Sequence, residues 1–198
     1  MINVNKKTVM IDMDEVIVKG RFTDFLNEFL GGVDFDKLNG FYRQELIKGK
    51  EEEFKKIYQF KNLYKDDKGN FIEPLPYCIE VLKELQKYYQ LFIVTSYIWK
   101  KDIIDASSNL KNKYEYLKFF FPFIDPNNYI FITDKSKIRF DIGIDDRPKN
   151  LINCDKKILF TEFRNEKISD EKLIANDIIR ADDWQDVKKL LLVKPNHK

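Results

Sequence analysis

The chain has few of the residues on which several common kinds of enzyme chemistry depend. In 198 residues it contains one histidine, His197, next to the last residue, and two cysteines, Cys78 and Cys154. Chemistry that needs an imidazole base, including Ser-His-Asp hydrolysis, is therefore not expected. The two cysteines lack the spacing of metal ligands, so we expect reduced, partly buried thiols, as in a cytoplasmic protein.

Long apolar runs and a surplus of one charge sign are also missing. No apolar run approaches the length that crosses a bilayer, and the residues from Met1 to Lys7 lack the apolar core of a signal peptide. The 35 basic and 33 acidic side chains nearly cancel and are interspersed, whereas a nucleic-acid binder usually carries a segregated basic face. We therefore expect a cytoplasmic protein with neither a membrane nor a nucleic acid as partner.

The apolar content, 43% of the chain, is enough to bury one core and a small appended subdomain. Apolar strand candidates alternate with helical stretches, which predicts a parallel sheet covered by helices on both faces. The clearest helix candidates are residues 76–88 and 184–192. The strand candidates are residues 9–11, 91–94, 129–133, 141–144, 158–160 and 178–179.

The most informative segment joins an apolar strand to two aspartates, Asp12 and Asp14. Residues two positions apart on a strand point to the same face, so these carboxylates can converge on one site if the strand ends there. Such a pair can place a phosphoryl-transfer nucleophile beside its own proton donor. Alone, an Asp-x-Asp pair binds a structural cation or lies in a solvated loop as often as it takes part in catalysis.

Three other strand candidates also end in polar residues. Thr95 and Ser96 follow one of them, Lys135 follows another, and Asp145 and Asp146 follow a third. Each has a simpler interpretation: the hydroxyls as helix caps, the lysine as a solvated surface charge and the paired acids as a turn. Their shared position favours a common site, because doubly wound sheets bind ligands at the carboxyl ends of their strands.

Taken in order, these four segments resemble the four motifs of the haloacid dehalogenase (HAD) superfamily of phosphatases. Residues 12–14, 93–96, 133–136 and 144–148 are similar, more narrowly, to the 5'(3')-deoxyribonucleotidase family in its bacterial branch. The resemblance extends from about residue 9 to residue 151. It implies an α/β fold, a HAD-like doubly wound parallel sheet of the Rossmann-like kind, with a small helical cap inserted after the first strand.

The segment after the first motif supports that domain organisation. It has no convincing strand up to about Phe71, and its apolar residues recur at helical spacing. We therefore predict a helical cap subdomain over residues 18–71. Residues 1–17 and 72–198 are predicted to form the HAD-like core domain.

The resemblance, together with the chemistry of the residues, assigns a role to each motif. Asp12 is the expected nucleophile, which forms an aspartyl phosphate, and Asp14 is the expected general acid and base. Thr95, Ser96 and Lys135 are expected to bind the phosphate. The alternative for Lys135 is a purely structural salt bridge to Asp12.

A cation is expected because both catalytic acids and the phosphate are negative, and a set of oxygen ligands favours Mg²⁺. The expected ligands are Asp12, the backbone carbonyl of Asp14 and one acid of the pair formed by Asp145 and Asp146. The family resemblance favours Asp146 as the direct metal ligand and Asp145 as its support.

The substrate expected from the resemblance is a nucleoside monophosphate. Phe41 and Tyr42 stand where the family has an aromatic pair that stacks on the nucleobase, although both could instead pack within the cap. Glu15 stands where glycine is frequent, and Lys19 and Gly20 stand where an acidic and an aromatic residue are usual. The missing aromatic residue weakens any expectation of strict pyrimidine deoxynucleotide selectivity.

Two alternatives to a nucleotidase remain open at this point. One is a HAD phosphatase that acts on another small phosphomonoester, since the four motifs recognise only the phosphate. The other is a non-catalytic nucleotide or phosphate sensor, against which Asp14 argues, because binding alone needs no acid there. The sequence leaves the oligomeric state open, a homodimer included.

Overall fold

The computed structural model describes residues 6–32, 46–58, 61–97 and 106–192. The strands are β1 Thr8–Ile11, β2 Gln90–Thr95, β3 Tyr129–Phe131, β4 Phe140–Asp145, β5 Cys154–Phe160 and β6 Ile178–Ala181. They form one sheet in the order β3-β2-β1-β4-β5-β6, and every neighbouring pair is parallel. The strand order reverses at β1, which lies between β2 and β4. The predicted doubly wound parallel sheet is confirmed.

The bounds of all six strands differ from the prediction, mostly by one or two residues, and two of the differences have a clear cause. β3 ends at Phe131 rather than at residue 133, because the chain then turns into a short 3₁₀ helix, Lys135–Lys137, capped by the Asp134 side chain. β5 begins at Cys154 rather than at residue 158. Its first half is charged and was invisible to an apolar pattern, but its backbone pairs with β4 along the whole strand.

The helices with defined bounds are α1 Phe22–Leu30, α2 Glu51–Tyr58, α3 Cys78–Leu85, α4 Ser107–Phe120, α5 Asp170–Ile174 and α6 Trp184–Leu192. α6 has the predicted bounds, whereas the helix predicted over residues 76–88 begins only after Tyr77, which has a left-handed backbone. α4 was not predicted, because Lys113 on its buried face interrupts the apolar periodicity. None of the described helices is long and apolar enough to cross a membrane.

The two faces of the sheet are buried by different elements. One face, which includes Val9 and Ile11, packs against α3, α4 and α6 through a cluster that contains Leu82, Leu117 and Trp184. The opposite face is covered in part by α5 and by the 3₁₀ helix Pro148–Leu151. Successive side chains of β1 point to opposite faces of the sheet, so the strand is packed on both sides.

Between β1 and β2 the described residues form helices and no strand. Phe25, Leu26, Ile47, Phe54 and Leu63 make a separate apolar cluster there, distinct from the two clusters on the sheet. Such a cluster is what a small appended subdomain needs for stability. The division into a cap of residues 18–71 and a core remains a prediction.

Gly143, in β4, provides a test of how tightly the second face is packed. A Cβ atom at this position would lie 2.5 Å from Cys154 Sγ and 2.8 Å from Leu151 Cδ2. Gly143→Ala should therefore lower the free energy of unfolding by about 1–3 kcal/mol, the usual cost of overpacking a core. Urea denaturation would measure it.

Gly20→Ala is the matched control, because its added Cβ would meet nothing closer than Leu63 O at 3.5 Å. We expect a change within about 0.5 kcal/mol for this variant. Equal stabilities of Gly143→Ala and the parent protein would contradict the tight packing of β4.

Candidate active site

Five residues of the four predicted motifs lie together at one edge of the sheet. Asp12 follows β1, Thr95 ends β2, Lys135 follows β3, and Asp145 ends β4 just before Asp146. Because the strands are parallel, their carboxyl ends meet at this edge. All five residues are buried. The structure thus brings the four sequence motifs into one polar cluster.

Lys135 lies between two carboxylates of this cluster. Its Nζ is 2.6 Å from Asp12 Oδ1 and 2.7 Å from Asp145 Oδ2. Burial lowers the pKa of Lys135, but the two carboxylates outweigh burial and raise the pKa above its ordinary value. The lysine is therefore charged, and the salt bridge to Asp12 that the sequence suggested exists alongside a second one.

Burial of like charges dominates the electrostatics of the acids. Burial raises the pKa of Asp12 to about 6, although Lys135 lowers it. Burial and the neighbouring Asp12 raise the pKa of Asp146 to about 6, against the opposing effect of Arg164. The pKa of Asp145 is also raised by burial. Three acids with elevated pKa values in one place indicate a site that favours an added positive charge.

The same three acids have the geometry of a metal site. One carboxylate oxygen each from Asp12, Asp145 and Asp146 lies within 4.8 Å of the others. Oxygen ligands of this kind suit a hard divalent cation. The donor set therefore fits the predicted metal ion.

Asp145 and Asp146 differ in how their oxygens are used. Asp145 Oδ1 accepts hydrogen bonds from Arg147 N and Asn150 Nδ2, both at 2.9 Å, and its Oδ2 accepts one from Lys135. Asp146 Oδ2 accepts a hydrogen bond from Arg164 Nη2 at 2.9 Å. Both oxygens of Asp145 are thus engaged within the protein.

Lys113, which the sequence motifs did not include, holds the acid at position 14. Its Nζ lies 2.5 Å from Asp14 Oδ2 and 2.8 Å from Thr95 Oγ1, and the residue is only 2% exposed. Helical spacing places Lys113 on the same buried face of α4 as Tyr116 and Leu117. The sequence signal that could have identified Lys113 is its position, three and four residues before Tyr116 and Leu117 on one helix face.

Tyr64, between α2 and α3, also reaches Asp14. Its hydroxyl donates a hydrogen bond to Asp14 Oδ1 at 2.7 Å. Tyr64 is buried, whereas the Asp14 side chain is 40% exposed. Nothing in the sequence distinguishes this tyrosine from other aromatic residues of the segment.

The loop after β5 contributes to the site as well. Arg164 Nη2 contacts Asp146, and Arg164 Nε donates to Glu162 Oε1 at 2.6 Å. Asn165 Nδ2 fixes the loop by donating to Asp146 O at 2.9 Å and to Phe160 O at 2.8 Å. A fifth strand end at the same edge could have been expected to supply site residues, since β5 is parallel to the others.

The turn after Asp12 and Asp14 has an unusual backbone. Glu15 has a φ of 65°, in the left-handed region that glycine adopts most readily. The glycine that the resemblance leads one to expect at this position would adopt the same conformation more readily. Trp184 Nε1, on α6, donates to Val16 O at 2.8 Å and so anchors the turn to the core.

A cavity of about 770 Å³ opens above these residues, within the range of about 300–1,000 Å³ typical of ligand pockets. Ser96 lines it, together with Asp12, Asp14 and Lys135. Among the described residues, Phe22, Tyr58, Tyr64 and Tyr97 form its aromatic lining. The predicted aromatic pair, Phe41 and Tyr42, lies outside the described residues, as does His197.

Comparisons with known proteins give the same family as the order of the four motifs. The family whose sequence model matches residues 6–196 is described as "5' nucleotidase, deoxy (Pyrimidine), cytosolic type C protein". A Staphylococcus aureus protein provisionally named a 5'(3')-deoxyribonucleotidase is 28% identical, over 96% of this chain and 97% of that protein. A Bacillus subtilis protein named 5'(3')-deoxyribonucleotidase is also 28% identical, over 94% of this chain and 99% of its own length.

Among solved structures, a provisionally named HAD-hydrolase of Bacillus subtilis, YfnB, solved bound to magnesium, has the same fold. Its TM-score is 0.50 at 13% sequence identity, and the match covers 96% of this chain and 100% of that one. At this identity the likeness concerns the fold alone.

The position of Lys113 predicts an effect on anion binding. Lys113→Met should weaken the binding of inorganic phosphate roughly 10- to 100-fold, because it removes a charged hydrogen-bond donor from beside Thr95. Isothermal titration calorimetry would measure the dissociation constant. Lys111→Met, at an exposed position of the same helix, is the control and should bind like the parent. An unchanged affinity of Lys113→Met would show that the lysine does not face the anion.

Proposed function

The chain belongs to the family of 5' nucleotidase, deoxy (pyrimidine), cytosolic type C proteins, and on that premise we propose that it is a Mg²⁺-dependent 5'(3')-deoxyribonucleotidase. It hydrolyses nucleoside monophosphates through an aspartyl phosphate. The observation that carries the proposal is the convergence of all four motifs at one sheet edge, within a chain that matches the family over residues 6–196. The two named relatives, each aligned along nearly its whole length, support the same activity.

Asp12 is the nucleophile in this proposal. Its Oδ1 accepts hydrogen bonds from Met13 N at 2.6 Å and from Lys135, which holds the carboxylate in one orientation. The Asp12 carboxylate attacks the phosphorus atom in line, a P–O bond to Asp12 forms, and the bond to the leaving oxygen breaks. Water then attacks the same phosphorus and releases phosphate and Asp12.

Asp14 moves the protons of both steps. It gives its proton to the leaving alcohol in the first step and takes one from the attacking water in the second, which is worth roughly 10²- to 10⁴-fold in rate. Its partial exposure to the cavity supports this role, since a general acid must reach the substrate. A sensor that only bound phosphate would have no use for this acid.

The phosphate is bound by cations and hydroxyls at the strand ends. Lys113 and Lys135 neutralise its charge, and Thr95 and Ser96 offer hydroxyl groups beside them. The contact of Lys113 with Thr95 supports a shared anion pocket at the end of β2. Positive groups fixed in advance stabilise the charge that builds up on the phosphoryl oxygens.

The Asp12 and Asp146 carboxylates and the backbone carbonyl of Asp14 would hold the metal ion. Asp145 supports the site, since its oxygens already accept three hydrogen bonds. When bound, the ion supplies positive charge that polarises the phosphoryl group. Mg²⁺ is the expected ion because all of the donors are oxygens.

The substrate beyond the phosphate meets the aromatic side of the cavity. Phe22 and Tyr58 contact each other edge to face, with ring centroids 5.7 Å apart, and both line the cavity. Tyr97 lines it from the end of β2. Such rings suit the stacking of a nucleobase, and Phe41 and Tyr42 remain proposed as further stacking residues.

Replacing the nucleophile tests the proposal directly. Asp12→Asn should lower phosphate release to below about 1% of the parent, because the amide keeps the shape but loses the attacking charge. Release would be measured on 5'- and 3'-monophosphates of deoxyribonucleosides and ribonucleosides, with p-nitrophenyl phosphate as a generic substrate.

Asp155→Asn, an exposed acid paired with Arg139, is the matched control and should retain full activity. Circular dichroism should show the same fold for both variants. More than a few per cent of residual turnover in Asp12→Asn would remove Asp12 from its role. Faster hydrolysis of other phosphomonoesters than of any nucleotide would favour a phosphatase of different specificity.

Removal of the metal should abolish activity. Treatment with EDTA followed by dialysis should stop hydrolysis, and Mg²⁺ should restore it, since three buried acids would otherwise repel the phosphate. Asp146→Asn should weaken Mg²⁺ binding measured by calorimetry without substrate. Full activity of the metal-free protein would rule out the proposed carboxylate site.

A further inference from the structure

The carboxylate of Asp14 is held at both oxygens, by residues from two different segments. The Tyr64 hydroxyl donates to Oδ1 at 2.7 Å, and Lys113 Nζ contacts Oδ2 at 2.5 Å. Asp14 follows β1, Tyr64 lies between α2 and α3, and Lys113 lies on α4. The proposed acid and base is therefore oriented from outside its own loop.

Tyr64 is itself firmly placed. Its backbone N donates to Asn62 Oδ1 at 3.0 Å, and its backbone O accepts from Ile72 N at 2.9 Å. Its ring lies 5.5 Å from the ring of Tyr116 on α4, and the residue is 4% exposed. Burial, and next the charge of Asp14, raise the pKa of Tyr64 well above its ordinary value, so the phenol keeps its proton and remains a donor.

The segment that carries Tyr64 is tied to the elements around it. Asn62 Nδ2 donates to Asn112 Oδ1 at 3.1 Å, which links the segment to the helix that carries Lys113. Leu63 O accepts from Arg21 N at 3.0 Å, just before α1. A displacement of this segment would therefore move the hydroxyl of Tyr64 and, with it, the carboxylate of Asp14.

We propose that Tyr64 is a positioning residue that fixes the carboxyl group of Asp14 for proton transfer to the leaving oxygen. This inference rests on the proposed phosphatase function. The proton that Oδ2 of Asp14 gives to the leaving oxygen is the one that it takes from the attacking water in the hydrolysis step of the preceding turnover. Tyr64 holds Oδ1 throughout and neither gains nor loses a proton, so the proton that reaches the leaving oxygen comes from Asp14 alone.

The role predicts a dependence on the leaving group. A nucleoside alkoxide is a poor leaving group and needs a proton as the P–O bond breaks, whereas p-nitrophenolate leaves readily without one. A misplaced Asp14 should therefore slow the hydrolysis of the nucleotide and leave the hydrolysis of p-nitrophenyl phosphate nearly unchanged. The parameter kcat/KM reports the step in which the leaving group departs, even where a later step limits kcat.

Tyr64→Phe is the test, because it keeps the ring and removes only the hydroxyl. We expect kcat/KM for a deoxynucleoside monophosphate to fall about tenfold, the effect of one hydrogen bond to a charged group. For p-nitrophenyl phosphate it should change less than about twofold. Phenyl phosphate, whose leaving group is more basic than p-nitrophenolate, should show an intermediate loss.

Tyr116→Phe is the matched control. Tyr116 is also fully buried, it contacts Tyr64, and its hydroxyl has no hydrogen-bond partner among the described residues. Loss of that hydroxyl should leave kcat/KM for both substrates unchanged. The melting temperature should stay the same or rise slightly.

Two results would overturn the positioning role. One is an equal loss on all substrates with a lower melting temperature, which indicates damage to packing; the other is no loss on any substrate. The proposed nucleotidase function fails separately, if the parent and Tyr116→Phe do not hydrolyse nucleotides. The pair of phenyl and p-nitrophenyl phosphate then still tests Tyr64, and a parent protein without any phosphatase activity would overturn both proposals.

Discussion

The pairing of the active-site acids with cations is the interaction on which the rest of this structure depends. Several carboxylates lie at one edge of the sheet, and burying like charges is costly unless opposite charges lie close by. Lys135 lies between Asp12 and Asp145, Lys113 contacts Asp14, and Arg164 contacts Asp146. Each cation reaches its acid at hydrogen-bonding distance. Burial still raises the pKa of Asp12, Asp145 and Asp146, so a further positive ion would stabilise the cluster.

The topology of the sheet explains how these pairs arise. β1 lies between β2 and β4, so the residues after these three strands are neighbours, and the turn after β3 brings Lys135 alongside. Helix α4 packs on the sheet face that includes Val9 and Ile11, and Lys113 on its buried side reaches the strand ends. Phosphate chemistry needs fixed charges in a small space, and a parallel sheet supplies them because its strand ends converge.

The sequence predicted the parts of the site that follow strands. Short apolar runs mark buried strands, and the polar residues after them fall at one edge in any parallel sheet, which located Asp12, Thr95, Lys135 and Asp146. Arg164 is the exception, since it was missed although it follows β5 at the same edge of the sheet. Tyr64 was not predicted, because it lies in a connecting segment where no periodicity constrains the chain. Lys113 was missed for the opposite reason: its helix is regular, but a buried lysine looks like a surface residue when only hydrophobicity is considered. The boundary of β5 was wrong because backbone pairing, and not apolar side chains, holds its charged first half.

The hydrogen bond from Trp184 to Val16, which joins residues 168 positions apart, has a consequence for the order of folding. The turn that carries Asp14 is anchored by the last described helix, and its acid is contacted from positions 50 and 99 residues away. Contacts so distant in sequence form late, since the entropy of closing large loops must be overcome first. The turn that carries Asp14 is therefore expected to reach its final position late in folding, after α6 has docked.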